Sequence, residues 1–162
     1  QYISFMDADD RLTSSTLSDV YGFFNTCDAN IPFVSVPIYF FEKRDFCHRL
    51  NYKYECESSR IIDLAHEYSF VQMSASSAFF RHKILQDRSF DTTLKYAEDA
   101  KLIMDILLDY PQYGIVPSGR YMYRTRNALD SALNVSKHRK EWYIDSLKYY
   151  TFWALDESER RL

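Results

Sequence analysis

The chain opens on an apolar segment that runs directly into three carboxylates. Residues 2–10 read YISFMDADD. Alternate side chains of a β-strand share a face, so Ile3 and Phe5 are expected to anchor a strand in a core. Asp7 and Asp9 lie on the same face and are expected to emerge together at the rim of the sheet. The segment therefore predicts two carboxylates converging at a sheet edge.

Two interpretations of these carboxylates stay open. Mg²⁺ and Mn²⁺ prefer carboxylate, water and phosphate oxygens, and Mg²⁺ often keeps only one or two protein carboxylates while substrate phosphates complete its shell. Asp7 and Asp9 could therefore hold a divalent cation against a phosphorylated substrate. Alternatively, the acidic turn caps a helix expected to begin near Thr13, because Asp and Ser are favoured at such positions.

Composition excludes several other classes of protein. The 162 residues are 46% hydrophobic and 27% charged, which is typical of one compact domain and too polar for a membrane span. A net charge of -3 and the absence of a basic run longer than residues 137–140 argue against a nucleic-acid-binding surface. The three cysteines are odd in number and lack the spacing of zinc or redox motifs. Reduced thiols in a cytoplasmic protein are therefore expected.

Both ends of the chain are expected to be cut from a longer protein. The first strand begins at the first residues, which leaves no room upstream for strands that would support it or hold a nucleotide base. From Ser136 a helical pattern runs to Leu162 without a glycine or proline stop. The sequence therefore divides into residues 1–135 and a helical extension over residues 136–162.

Hydrophobic periodicity predicts two helices before residue 135. One runs from about Thr13 to Cys27 and should cover a sheet. The other runs from about Ala97 to Asp109, where Pro111 ends the pattern. The apolar stripe of the first helix consists of Leu17, Val20, Tyr21 and Phe24.

Short apolar segments predict the strands. Proline cannot donate a ladder hydrogen bond, so Pro32 and Pro37 make the strand within Ile31–Phe41 short, bulged or peripheral. The irregular stretch Glu42–Glu57 is expected to form a surface excursion with part of a hairpin. Further predicted strands are Ile61–Leu64 and Ser77–Phe80, with a hairpin that joins Tyr113–Val116 to Arg120–Arg126 through the turn at residues 117–119.

Two acidic residues open the second predicted helix. Asp99 lies on the apolar stripe at the mouth of the helix, whereas Glu98 is rotated towards Lys101 and Asp105. The exposed amides and the dipole of a first turn favour carboxylates, which explains both residues without a catalytic role. A carboxylate on an inward face is unusual, so catalysis by Asp99 is the competing interpretation.

Two arginines alternate on the last predicted strand. Guanidinium groups of Arg124 and Arg126 on one face could grip a pyrophosphate through paired hydrogen bonds. Ordinary solvated arginines are the alternative interpretation.

Four motifs, taken in order, resemble those of inverting family 2 glycosyltransferases of the GT-A fold. FMDADDRL at residues 5–12 resembles the aspartate-rich metal motif, and SAFFR at 77–81 resembles the strand before the acceptor region. YAED at 96–99 resembles the Glu-Asp motif, and YMYRTR at 121–126 resembles the closing Tyr-Arg-x-Arg segment. The resemblance is nearest to bacterial capsule and teichoic-acid enzymes.

The resemblance implies a fold as well as an activity. Residues 1–135 would be the second half of the catalytic domain, which binds the metal and the acceptor. This half would be an α/β unit, a truncated GT-A-like mixed sheet flanked by helices. Residues 136–162 would begin the C-terminal helical extension.

The implied activity is transfer of a sugar, with inversion, from a nucleotide-sugar donor to a hydroxyl acceptor. UDP-sugars are the favoured donors, and a glycan or polyol phosphate is the acceptor, in bacterial surface polysaccharide synthesis. Asp9 and Asp7 would bind Mg²⁺ or Mn²⁺, and Asp7 would also help to hold the donor. Asp99 would be the catalytic base, and Glu98 would position the acceptor or the base. The donor diphosphate would be bound by Arg124, Arg126 and Ser131.

Three further expectations accompany this activity. The chain is expected to be inactive without its nucleotide-binding half, and to work in the cytoplasm, with peripheral association at the inner face of the membrane.

A non-catalytic carbohydrate-binding or interaction domain of the same architecture is an alternative, with the 14 tyrosines and 12 phenylalanines as sugar platforms, although aromatics more often fill cores. A metal-dependent nucleotidyl- or phosphotransferase is a second alternative, because paired aspartates also suit two-metal phosphate chemistry.

Overall fold

The computed structural model describes residues 1–42 and 46–125. Its mixed α/β architecture confirms the predicted fold class. The predicted helical extension over residues 136–162 lies outside the described residues. The strands are β1 (Tyr2–Ser4), β2 (Arg11–Leu12), β3 (Phe33–Ser35), β4 (Ile38–Phe41), β5 (Phe46–Cys47), β6 (Arg60–Asp63), β7 (Ala78–Arg81), β8 (Gln112–Ile115) and β9 (Tyr121–Arg124), and the helices are α1 (Thr16–Thr26) and α2 (Glu98–Asp109).

The strands form two mixed sheets. The first has five strands in the order β1-β7-β3-β8-β6, in which only the β3–β8 pair is parallel. The second has four strands in the order β2-β9-β4-β5, in which only the β4–β9 pair is parallel. Short 3-10 segments at Arg49–Tyr54, Tyr68–Phe70 and His82–Leu85 connect the strands. Neither helix of the described ranges is long and apolar enough to cross a bilayer.

Successive side chains of the central strands point to opposite faces of the first sheet, so an apolar cluster covers each face. Phe33 and Phe80 face the cluster that contains α2, whereas Val34 and Phe79 face the cluster that contains α1. Each apolar side chain buried in this way contributes roughly 1.5–3 kcal/mol relative to an exposed one. Helix α2 contributes Leu102, Ile103, Ile106 and Leu107 to its cluster, and α1 contributes Val20 and Phe24 to the other.

Helix α1 begins at Thr16, later than predicted, and buries a different stripe. Thr16, Val20 and Phe24 are buried at spacings of four residues, but Leu17 and Tyr21 are 61% and 58% exposed. One residue along a helix is a rotation of about 100°, so residues next to the buried stripe turn outward. The predicted contact of Leu17 and Tyr21 with the sheet is therefore wrong.

The predicted strand Ile31–Phe41 divides at Val36 and Pro37 into β3 and β4, which belong to different sheets. It is short, as expected, but β3 is central rather than peripheral. Strands β8 and β9, the parallel partners of β3 and β4, pass from the first sheet to the second at the same level. The Val116 amide donates to Ser35 O and the Tyr121 amide donates to Pro37 O, both at 3.0 Å. Strands β8 and β9 therefore follow their parallel neighbours, and the hairpin predicted between them is wrong.

The remaining elements agree more closely with the sequence. Helix α2 begins within one residue of the predicted position and ends at Asp109, and β6 and β7 fall on the predicted apolar segments. The stretch 42–57 contains β5, which pairs antiparallel with β4 as the expected part of a hairpin. It is not wholly a surface excursion, since Lys53 and Tyr54 are 4% and 8% exposed.

Candidate acidic site

The acidic segment turns as soon as β1 ends. Phe5 anchors it as predicted, with its ring centroid 5.9 Å from that of Phe80 and 4.9 Å from that of Phe90. The Asp10 amide then donates to Asp7 O at 3.1 Å, which closes a turn. The predicted continuation of the strand to Asp9 is wrong, because this turn breaks the alternation that would have kept the aspartates on one face. We call residues 7–10 the acidic loop.

Asp10 is the aspartate that the acidic loop turns inward. Its carboxylate accepts hydrogen bonds from the Tyr121 hydroxyl at 2.5 Å and from the Arg124 amide at 2.8 Å. Burial raises the pKa of Asp10, these two hydrogen bonds oppose that rise, and the charges of Asp7 and Asp9 add to it. Asp10 therefore fastens the acidic loop to β9, a role that the sequence interpretation did not assign.

Tyr121 is the centre of a polar network beneath the acidic loop. Its buried hydroxyl donates to Asp10, receives the Asp7 amide at 3.4 Å and lies close to the Ser76 side chain. Burial and the Asp10 carboxylate together raise the pKa of Tyr121, which keeps the phenol protonated. The network thus joins the acidic loop to the segment that precedes β7.

Asp99 reaches the same segment from the first turn of α2. Its carboxylate accepts the Ala100 amide at 2.8 Å and the Ala75 amide at 3.5 Å. Burial raises the pKa of Asp99, the amides oppose the rise, and the negative charge of Asp7 adds to it. Asp99 is therefore inward-facing, as predicted, and lies close enough to Asp7 for the two charges to interact.

The start of α2 is held in an unusual conformation. Ala97 precedes the helix with φ 64°, in the left-handed region that non-glycine residues rarely adopt. The next residue, Glu98, is partly buried, and burial followed by the charge of Asp99 raises its pKa. Lys101 pairs with Asp105 at 2.7 Å on the outer side of the helix. Glu98 and Asp99 thus follow this turn as two adjacent, partly buried carboxylates in the first turn of α2.

The structure therefore gathers residues from both ends of the described chain. Ala75 and Ser76 are neighbours, and they contact Asp99 and Tyr121 respectively. Tyr121 in turn holds the acidic loop through Asp10 and the Asp7 amide. The sequence indicated the two acidic motifs but gave no signal for this connection, which depends on tertiary contacts of short loops.

The predicted diphosphate-binding residues are only partly described. The Arg124 side chain lies with Nε 3.1 Å from Glu42 Oε1, an ion-pair distance at which the geometry does not form a hydrogen bond. Its guanidinium carbon is 5.5 Å from the centroid of the Phe41 ring. Arg126 and Ser131, which were predicted to share the task, lie outside the described residues.

The donor set at the acidic loop suits Mg²⁺ or Mn²⁺. Asp7 is exposed, Asp9 is partly buried, and both supply the carboxylate oxygens that these cations prefer. Asp10 is engaged with Tyr121 and Arg124 instead. Within residues 1–42 and 46–125, no three His, Cys, Asp or Glu side chains form a group that could hold a metal ion. A cation here would draw the rest of its shell from water and substrate phosphates, as Mg²⁺ usually does.

Replacing Tyr121 with phenylalanine is expected to destabilise the fold by about 1–3 kcal/mol, because it removes the hydroxyl and leaves the Asp10 carboxylate with one donor fewer. Urea denaturation of the intact protein measures this change. Tyr68→Phe, at a tyrosine that is 81% exposed, is the matched control and should cost less. Equal losses in the two variants would contradict the role of the Tyr121 hydroxyl.

Fold and site together define an α/β protein with an acidic site beside a mixed sheet. No protein-family model matches the chain. It is similar to two minor teichoic acid biosynthesis proteins of Bacillus subtilis (strain 168). It is 35% identical to GgaB over 147 residues, which cover 91% of this chain and 16% of GgaB. It is 31% identical to GgaA over 145 residues, which cover 88% of this chain and 32% of GgaA. The chain thus spans less than a third of the length of either relative.

Proposed function

We propose that the protein containing this chain is a glycosyltransferase of bacterial surface polysaccharide synthesis. It transfers a sugar from a nucleotide-sugar donor, with UDP-sugars favoured, to a hydroxyl of a glycan or polyol-phosphate acceptor with inversion. The observation that carries the proposal is the series of contacts from the acidic loop through Tyr121 and Ser76 to Ala75, whose amide donates to Asp99. The names of both relatives, as teichoic acid biosynthesis proteins, support the class of product.

Asp99 is the proposed catalytic base. It takes the proton from the acceptor hydroxyl while that oxygen forms a bond to the anomeric carbon of the donor sugar. The bond between that carbon and the diphosphate breaks, and its electron pair leaves with the nucleoside diphosphate. Burial raises the pKa of Asp99, which makes it a stronger base than an exposed aspartate. Glu98, the next residue, positions the acceptor or the base.

The leaving diphosphate is the proposed ligand of the acidic loop. Asp9 and Asp7 would hold Mg²⁺ or Mn²⁺, and the cation, when bound, supplies positive charge that neutralises the leaving group. Asp10 fixes the loop against β9 through the Tyr121 hydroxyl and the Arg124 amide. The guanidinium groups of Arg124 and Arg126, together with Ser131, would bind the diphosphate.

Replacing Asp9 with asparagine is expected to raise the metal concentration needed for half-maximal transfer by roughly tenfold or more, because one of two protein carboxylates is lost. The measurement is release of nucleoside diphosphate by the intact protein during titration with MnCl₂, after treatment with EDTA. Asp87→Asn is the matched control, since Asp87 is exposed and belongs to neither acidic motif. Full turnover in EDTA would contradict the metal assignment.

The products of the same assay separate the proposed function from its alternatives. Nucleoside diphosphate together with a glycosylated acceptor supports sugar transfer. Nucleoside monophosphate or inorganic pyrophosphate would instead indicate a phospho- or nucleotidyltransferase. Binding of nucleotide sugars and glycans without release of any nucleotide would indicate a carbohydrate-binding domain.

A further inference from the structure

The second sheet presents arginines on one of its faces. Arg11 in β2 lies opposite Met122 in β9, and Met122 lies beside Tyr39 in β4. Two residues further along, Arg124 lies beside Phe41. Since side chains alternate along a strand, these five residues share one face of the sheet.

Side-chain contacts agree with this register. The guanidinium carbon of Arg11 lies 4.2 Å from the centroid of the Phe41 ring, and that of Arg124 lies 5.5 Å from the same centroid. The guanidinium carbon of Arg120 lies 4.7 Å from the centroid of the Tyr39 ring. We call these three arginines with the two rings beneath them the arginine face. The opposite side chains of the sheet pack on the core, and they include Leu12, Ile38, Tyr121 and Tyr123.

The arginine face carries more positive than negative charge. Glu42 pairs with Arg124, with 3.1 Å between Oε1 and Nε. Arg11 and Arg120 are exposed, and neither forms an ion pair with the part of the chain that the structure describes. Stacking engages the flat side of a guanidinium group and leaves its in-plane N–H donors directed sideways, in a geometry that suits phosphate oxygens.

The spacing of the arginines favours an extended ligand. The guanidinium group of Arg11 lies over Phe41 and that of Arg120 lies over Tyr39, and these two rings are two residues apart on β4, which corresponds to roughly 7 Å along the strand. Successive phosphates of a polyol-phosphate chain, which one short polyol separates, could contact these two guanidinium groups in turn.

We propose that the arginine face binds the phosphate-bearing acceptor chain, a polyol-phosphate polymer, by contacting more than one of its phosphates. This inference rests on the proposed function, and it adds the surface of the protein on which the acceptor polymer would bind. Arg11 directly follows Asp10, and the Arg124 amide contacts the Asp10 carboxylate, so the face adjoins the acidic loop. A polymer lying on the face therefore leads towards Asp7 and Asp99.

A polymer fits the arginine face better than a lipid surface does. Binding to a membrane interface normally buries exposed apolar side chains among the headgroups. Here Phe41 is only 6% exposed, since Arg11 and Arg124 cover its ring. The most exposed large apolar side chains of the described ranges, Tyr68 and Leu17, lie outside this sheet.

The test measures binding of a poly(glycerol phosphate) oligomer to the intact protein by calorimetry, without donor. The double variant Arg11→Gln/Arg120→Gln is expected to weaken binding roughly five- to tenfold, because it removes two phosphate contacts. Arg60→Gln/Lys83→Gln removes the same charge elsewhere and should leave binding unchanged. Arg11→Lys/Arg120→Lys keeps the charge and should bind with intermediate affinity, which guards against loss of fold in the glutamine variant.

Two further ligands test the class of partner. Inorganic phosphate should bind much more weakly than the oligomer, and vesicles of phosphatidylcholine with one-third phosphatidylglycerol should not compete with it. Equal affinity for inorganic phosphate, binding to vesicles alone, or equal weakening in the control variant would each overturn the inference. The oligomer should still bind to Asp99→Asn, so a base assignment that fails leaves this result intact. Conversely, Asp99→Asn could lose turnover while the double glutamine variant binds the oligomer normally. That result would overturn polymer binding by the arginine face and leave the proposed base unaffected.

Discussion

Replacing Asp99 with asparagine is expected to lower the turnover of sugar transfer by about 10²–10⁴-fold, the usual contribution of a general base. Asparagine has nearly the same shape, but its amide cannot accept the proton of the acceptor hydroxyl. Donor binding should stay largely intact, because the acidic loop is held by Tyr121 and Asp10 rather than by Asp99. Release of nucleoside diphosphate measures turnover, and calorimetry with Mn²⁺ and the donor measures binding.

The pH profile separates a base from a structural carboxylate. Burial raises the pKa of Asp99, and the base is active only when deprotonated, so kcat/KM should rise with pH through that pKa. This acid limb should lie above the pH range in which ordinary aspartates titrate, and it should vanish in Asp99→Asn. Glu98→Gln is the neighbouring control and should keep the limb. Unchanged turnover in Asp99→Asn would refute the base assignment.

The parts of the fold that were predicted correctly depend on local patterns. Helix α2 has an unbroken apolar stripe and a proline just beyond its end, so neighbouring residues alone define it. The inward position of Asp99 follows from its spacing to that stripe, and its burial agrees. Strands β6 and β7 are short apolar runs bounded by polar residues, which is a comparably local signal.

The parts that were missed depend on contacts between distant segments. A turn at residues 117–119 is compatible with a hairpin, and only the hydrogen bonds of β8 and β9 to β3 and β4 show that these strands continue into two sheets. Likewise, the sequence presents three aspartates in the acidic loop. Which of them turns inward depends on Tyr121, more than one hundred residues later.

Lys53 was missed for the same reason, because it lies in a stretch with no clean period. It is 4% exposed, and its ammonium group donates to the Gln72 side-chain oxygen. The rings of Tyr54 and Tyr113 lie 5.4 and 5.6 Å from Nζ. No carboxylate of residues 1–42 and 46–125 forms an ion pair with Lys53. Burial without a counter-charge lowers the pKa of Lys53 to about 7.

This lowered pKa makes the stability of the fold depend on pH. Below pH 7 both the folded and the unfolded chain hold the proton, so the folded state bears the full cost of burying an ammonium group. Between pH 7 and 10.5 the folded protein loses the proton while the unfolded chain, with its ordinary pKa of 10.5, retains it. The free energy of unfolding therefore rises with pH across this range. At about 1.4 kcal/mol per pKa unit, the full rise is roughly 5 kcal/mol.

Replacing Lys53 with methionine is expected to remove this rise. Near pH 6 the variant should be more stable than the parent protein, because it buries an apolar chain of similar length without a charge. Near pH 10 the Lys53 amine of the parent protein is neutral, so its burial no longer carries the cost of a buried charge, and it still contacts Gln72. The variant instead leaves the Gln72 oxygen without this donor, at a cost of about 1–3 kcal/mol, and the order of stability should reverse.

Urea denaturation of both proteins at pH 6, 8 and 10 measures this reversal, and subtracting one protein from the other cancels the titration of the remaining groups. Lys83→Met, at an exposed lysine, is the matched control and should show a difference from the parent that stays constant with pH. A constant difference for Lys53→Met as well would mean that the Lys53 ammonium is hydrated in the folded protein. In that case the pKa of Lys53 would not be lowered by burial, and the ammonium group would not be a buried charge.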